Sequence, residues 1–136
     1  MRVFLDANIL FSAAITDGTV RRIVGLLSEA GHQSCVNDYV VGEARRNIAV
    51  KSPEHVQALE KLLAGMAHVE LAPGAPLREE LLLLPEKDRP VLAAAARGRC
   101  DALLTGDRAH FGRWFGKTLG GVAIHSPRSL AVKLLK

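Results

Sequence analysis

Apolar positions along the chain alternate between short contiguous clusters and longer runs spaced three and four residues apart, the periods of a buried strand and of an amphipathic helix. Residues 3–5 predict a first strand, and Ile9, Leu10, Ala13 and Ala14 a helix over residues 8–15. Asp17 or Thr19 is placed to cap a second helix, carried by Ile23, Val24, Leu26 and Leu27 and stopped near Gly31. Residues 34–36 predict a brief strand, after which Asn37 caps a helix over residues 38–49. Ser52-Pro53 starts another helix, with the proline at the first helical position, where a missing N–H leaves no bond unmade. Residues 68–71 read as a strand. Residues 77–84, beyond a loop containing Pro and Gly, read as a short buried helix. In the last third, Asp88 opens a helix over residues 89–99, residues 102–105 and 121–124 are strands, and Ser126-Pro127 caps a closing helix to Leu134.

Alternating strands and helices predict an α/β fold, a three-layer α/β/α sandwich around a central parallel sheet. At 136 residues the chain fits a single domain spanning 1–136. Ligands in such folds gather at the carboxyl ends of the strands. Two apolar clusters end there on an acid: FLDAN stops on Asp6, and LLTGD stops on Asp107. Asp is also a ready helix cap and turn residue, so each acid has a structural reading beside the functional one. Asp88 shares a helical face with Val91, Leu92 and Ala95, which makes it either an inward-facing cap or a third acid aimed at the sheet edge. Glu43 lies beside the buried stripe Val40, Val41, Ala44 and Ile48; it is either a site acid or a solvated partner of Arg46 or Asn47.

Composition narrows the class only a little. The chain is 49% hydrophobic and 24% charged, as in ordinary globular domains. No apolar stretch approaches the roughly 20 residues of a membrane span, and the first residues form a strand pattern rather than a signal peptide, so a cytoplasmic protein without membrane contact is expected. Cys35 and Cys100 edge apolar runs and are expected to be buried reduced thiols. Eighteen Lys and Arg against 14 Asp and Glu give a formal charge of +4. That excess fits a polyanionic partner and fits a solvated surface equally well.

The segments RVFLDANILFSA, YVVGEARRNI, PEKDRPVLAAAARGRCDALLTGDRAHFG and GVAIHSPRSL, in this order and spacing, resemble the PIN-domain ribonucleases, including VapC-type toxins of toxin–antitoxin pairs. The likeness spans essentially the whole chain; its most specific part combines DAN near the start with DRPVLAAA and LLTGD near the end. It implies a metal-dependent endoribonuclease acting on single-stranded RNA, a homodimer and a small antitoxin partner. It also implies that Asp6, Glu43, Asp88 and Asp107 hold divalent metal, with Asn8 and Thr105 as supporting polar residues. Ala7 stands where many members carry Thr or Ser, and Asp101 is an additional acid read as a strand-start residue. The alternative is a non-catalytic PIN-like module that binds RNA or protein. A phosphoaspartate enzyme using Asp6 is disfavoured because Asn8 stands where a second aspartate is expected.

The residue types support the same chemistry directly. Two unit charges about 4 Å apart at an effective dielectric of about 20 repel by roughly 4 kcal/mol, so clustered carboxylates call for a cation and raise one another's pKa values. Mg²⁺ or Mn²⁺ suits an oxygen-rich site. Arg45, Arg46, Arg89 and Arg108 are placed to grip a phosphate backbone. His110 is either a general acid or a packing residue, and Phe111 and Trp114 either stack on a base or fill the core.

Overall fold

Val3, Phe4 and Leu5 are all fully buried, although successive side chains of a strand point to opposite faces. The strand they form therefore has protein on both sides. The computed structural model describes residues 1–69 and 82–135. Within them the chain runs β1 (Arg2–Leu5), α1 (Ala7–Ile15), α2 (Thr19–Glu29), β2 (Gln33–Val36), α3 (Asp38–Lys51), α4 (Val56–Leu63), β3 (Ala67–His68), α5 (Arg89–Arg97), β4 (Ala102–Leu104), α6 (Arg108–Phe111), β5 (Thr118–Leu119), β6 (Val122–His125) and α7 (Pro127–Leu134). The strands form one sheet in the order β3-β2-β1-β4-β6-β5. Helices cover it as the outer layers of an α/β/α sandwich, α2 packing on β2, α5 on β4 and β6, and α7 on β6.

Every pairing from β3 to β6 is parallel, but β5 runs antiparallel to β6 at the sheet edge, with Thr118 opposite Ala123 and Leu119 opposite Val122. The expected sandwich around a central parallel sheet stands, and β5 adds one antiparallel strand at its edge. The cause is legible in hindsight: Gly120 and Gly121 both take positive φ, 61° and 79°, the conformation of a tight two-residue hairpin turn.

Local chemistry explains the element boundaries. Asn37 caps α3 by accepting from Val40 N at 3.1 Å, as expected, and Ser126 and Ser129 form a reciprocal capping box on α7. Neither Asp17 nor Thr19 caps α2. Gly18 holds that position without a side-chain bond, and Asp17 instead approaches Arg21 one turn on, at 3.9 Å. Pro53 begins a 3₁₀ turn, Pro53–His55, and α4 starts only after it. Helix α5 stops at Arg97 because Arg99 adopts φ 56°, outside the helical region. The expected helix over 77–84 and the end of the strand over 68–71 fall largely or partly outside the described residues.

The positioning fact is the register of the central strands. Leu5 lies level with Leu104, and Leu104 level with His125, so β1, β4 and β6 end together. Asp6 N continues the ladder to Leu104 O at 3.0 Å, and Thr105 N to His125 O at 3.0 Å. The next residues of both strands therefore emerge side by side.

Gly98 shows how tightly α5 is seated: a Cβ there would lie 2.9 Å from Ala94 O and 3.0 Å from Val69 Cβ. Gly98→Ala is expected to destabilise the fold by about 1–3 kcal/mol through this overpacking, lowering Tm by several degrees. Gly65, with open space around it, is the control, and Gly65→Ala should melt within a degree or two of wild type. Equal melting temperatures for the two variants would remove the packing argument.

Candidate active site

Asp6 leaves β1 and serves as the N-cap of α1, its Oδ1 accepting from Ala7 N at 2.8 Å. Asp107 does the same for α6, its Oδ1 accepting from His110 N at 3.1 Å. The structural reading of both acids is therefore correct, but it occupies one oxygen of each. The other oxygen of Asp6 accepts from Thr105 Oγ1 at 2.9 Å, and that of Asp107 lies 2.9 Å from His110 Nδ1.

The Thr105 hydroxyl ties the two strand ends together. While donating to Asp6 Oδ2, it accepts from Asp107 N at 3.2 Å and lies 3.4 Å from Asn8 Nδ2. Asn8 also spans the gap, with Oδ1 accepting from Gly106 N at 2.8 Å. Asn8 and Thr105 thus set the orientation of the Asp6 carboxylate and the path of the β4 exit loop.

Asp88 ends a 3₁₀ turn ahead of α5, and its side chain makes no capping bond, which removes the capping alternative for this acid. It is buried, and its Oδ2 has no aligned hydrogen bond although His110 Nδ1 stands 2.7 Å away. Glu43 comes from α3 and makes no ion pair with Arg46 or hydrogen bond with Asn47 among the described residues. Together Asp6, Glu43, Asp88 and Asp107 line a cleft of about 220 Å³, joined by Ala7, Asn8, Phe11, Tyr39, Asn47, Lys51, Lys87 and Val91. Four separate segments deliver the four acids to this one place.

Tyr39, Lys51, Phe11 and Lys87 line the cleft and were not singled out from the sequence. Tyr39 and Lys51 recur with Glu43 and Asn47 every four residues along α3 and so form one row on its surface. The row was visible as a polar stripe beside the buried one. Lys51 Nζ sits 5.7 Å from the centre of the Phe11 ring, and Tyr39 Oη donates to Lys87 O at 3.3 Å. The expected phosphate-gripping arginines lie elsewhere: none of Arg45, Arg46, Arg89 and Arg108 lines the cleft. Arg45 pairs with Glu60 at 2.6 and 3.1 Å, and Arg89 Nε donates to Leu84 O at 3.2 Å. Phe111 is fully buried in the core, Trp114 packs against that core, and Arg113 lies over the Trp114 ring. Asp101 accepts from Arg2 N at 2.7 Å, fastening β4 to β1 away from the cleft.

Burial dominates the electrostatics of the two most enclosed acids. It pushes Asp6 above the ordinary aspartate range; the hydrogen bonds from Thr105 and Ala7 oppose the shift, and the charges of Glu43 and Asp88 add to it. Asp88 is also raised, first by burial, with His110 and Lys87 opposing and Asp107 and Glu43 reinforcing. Crowding of the acids, expected from the sequence to raise these values, does so as the smaller cause. The cleft carries four carboxylates against Lys51 and Lys87. A negative cleft with a buried carboxylate oxygen left without an aligned donor fits a bound cation, and oxygen donors suit Mg²⁺ or Mn²⁺. Among the described residues, Asp88, Asp107 and His110 bring potential ligand atoms within 4.8 Å of one another.

The family model for the PIN domain matches residues 2–109. Among solved structures, the chain is similar to one in the crystal structure of VapBC2 from Rickettsia felis bound to a DNA fragment from their promoter. The TM-score is 0.69 at 16% identity, covering 93% of this chain and 98% of that one. No curated protein gives a significant match. The aligned ends of β1 and β4, the four acids around their cleft and a family match over most of the chain agree, and the protein belongs to the PIN domain family.

Proposed function

We propose that the protein is a divalent-metal-dependent endoribonuclease hydrolysing phosphodiester bonds of single-stranded RNA, and that it is the toxin of a toxin–antitoxin pair. The observation that carries the nuclease reading is the convergence of Asp6, Glu43, Asp88 and Asp107 on one cleft, with Asp88 Oδ2 buried and without an aligned hydrogen bond. The likeness to VapBC2 supports the toxin reading and an antitoxin partner; the homodimer is proposed from the resemblance of the sequence alone.

In this reading Asp6, Asp88 and Asp107 hold Mg²⁺ or Mn²⁺, and Glu43 holds it directly or through water. The bound cation supplies charge neutralisation and activation of water for in-line displacement at phosphorus. The chain's own groups do the positioning. Thr105 commits its one proton to Asp6 Oδ2, which leaves that carboxylate a fixed acceptor orientation. Asn8 holds Gly106, and with it the loop that carries Asp107. Lys51 and Lys87 provide cations for the phosphates that flank the scissile bond, and Phe11 offers a ring face for an unpaired base. A ring at this position supports single-stranded substrate, because a paired base does not present its face.

Asp6→Asn and Asp107→Asn should each lower cleavage of single-stranded RNA by at least about 100-fold in Mg²⁺, the range for loss of a group that organises catalysis, with unchanged circular dichroism. EDTA should reproduce the loss in wild type. Wild-type cleavage by either variant would remove that acid from the catalytic set.

The raised pKa values make a stability prediction with a definite sign. A carboxyl whose folded pKa lies above its unfolded value binds more protons folded than unfolded in the interval between them. Its stabilising contribution is present below the unfolded value, about pH 4, and is lost as pH rises through the folded one. Metal-free protein should therefore lose the contribution of Asp6 and Asp88 on going from acid toward neutral pH. Metal at about 100 times its dissociation constant should restore about 2.7 kcal/mol. Metal-free Asp6→Asn should melt at or above wild type at pH 7, because the amide keeps an oxygen for Ala7 N and removes an enclosed charge, which outweighs the acceptor lost to the Thr105 hydroxyl. A melting series of both proteins with EDTA or Mg²⁺ checks this; a metal-free variant melting far below wild type would make Asp6 chiefly a cap.

The assembly reading has its own measurement. Light scattering at micromolar concentration should give about twice the 14.6 kDa chain mass, and a monomer there would end the homodimer proposal.

A further inference from the structure

His110 is one turn into α6, and its ring lies against both Asp88 and Asp107. Nδ1 is 2.7 Å from Asp88 Oδ2 and 2.9 Å from Asp107 Oδ2, yet neither oxygen lies along an aligned N–H direction. Nδ1 and Asp88 Oδ2 are both buried without a hydrogen-bond partner, and the Asp88 side chain is 10% exposed. Three potential ligand atoms, one nitrogen and two oxygens, thus face one another from two segments of chain, Asp88 on one and Asp107 with His110 on the other. An octahedral cation with bonds of about 2.1 Å has adjacent ligands about 3.0 Å apart. The two contacts to Nδ1 are within a few tenths of an ångström of that edge.

We infer that His110, which stands behind Asp88 and Asp107 and not on the cleft lining itself, is a metal ligand at this site, its Nδ1 completing a mixed nitrogen–oxygen set with the two acids that selects Mn²⁺ over Mg²⁺. The inference rests on the metal-nuclease reading above and deepens it. Imidazole nitrogen is a borderline-soft donor that favours first-row transition ions, whereas Mg²⁺ prefers carboxylate, carbonyl and water oxygens. In the metal-bound state the ring is neutral, with its proton on Nε2 and the Nδ1 lone pair toward the cation. The helix makes this placement possible: Asp107 Oδ1 caps α6 at His110 N, so the same turn that fixes the Asp107 carboxylate brings the His110 ring back over it.

The test uses untagged full-length protein, Mn²⁺ and Mg²⁺, and a readout independent of cleavage. Pulsed electron paramagnetic resonance of the Mn²⁺ complex should show coupling to a ¹⁴N nucleus, changing to the ¹⁵N pattern when the histidines are labelled. His110→Ala should abolish the coupling, and calorimetry should show its Mn²⁺ affinity falling at least about tenfold while Mg²⁺ affinity changes less, the range for loss of a ligand or its support. Mn²⁺ bound to wild type with no nitrogen coupling, or with coupling that survives His110→Ala, overturns the ligand role and leaves the carboxylate site intact. Failure of both ions to bind wild type overturns both this inference and the metal-nuclease reading. If His110→Ala does not fold, the labelled wild-type spectrum and the Mn²⁺-to-Mg²⁺ affinity ratio in His110→Gln decide the question.

Discussion

The arrangement of the cleft depends on one hydroxyl group. Thr105 donates to Asp6 and accepts from the Asp107 backbone, so one proton and one lone pair link the ends of β1 and β4. A carboxylate as enclosed as Asp6 is costly to charge, and a hydrogen bond to the charged form offsets part of that cost. The bond forms because Leu5 and Leu104 are in register and both strands stop there. Fully buried strands on either side leave that edge little freedom to shift.

Each strand-end aspartate divides its two oxygens between structure and chemistry. Oδ1 of Asp6 starts α1 and Oδ1 of Asp107 starts α6. A cap replaced by a residue without that oxygen costs roughly 1 kcal/mol, whereas isosteric Asn keeps the capping oxygen, removes the charge and turns the second oxygen into a donor. Asp88 differs, for it caps nothing and its Oδ2 is buried without an aligned partner. What it meets in the fold is the His110 ring, 2.7 Å away.

The cleft is also asymmetric in its cations. The arginines that stand out in the sequence sit outside it, Arg45 being held in an exposed pair with Glu60. Lys51 and Lys87 line it instead, one closing the α3 row that starts at Tyr39 and the other next to Asp88. A lysine carries its charge on a long flexible stem, so these two cations can reach across the cleft from its rim. Phe11, under Lys51, supplies apolar surface beside that charge.

The sequence by itself determined the alternation of strands and helices, the caps at Asn37 and Ser126, and the two acids that follow β1 and β4, because each is a local matter of period, capping chemistry and turn preference. It left Asp88, Glu43 and His110 with two readings each, since a helical face says which way a side chain leaves its own element and nothing about what it meets. Only the tertiary structure decided those meetings: parallel pairing with crossovers brought residues nearly a hundred positions apart, such as Asp6 and Thr105, within hydrogen-bond distance. It likewise set Arg45 against Glu60 instead of the cleft and His110 against two carboxylates. The Gly120-Gly121 turn shows the opposite case, a local signal sufficient for β5 in which the strand was too short for its apolar pattern to show.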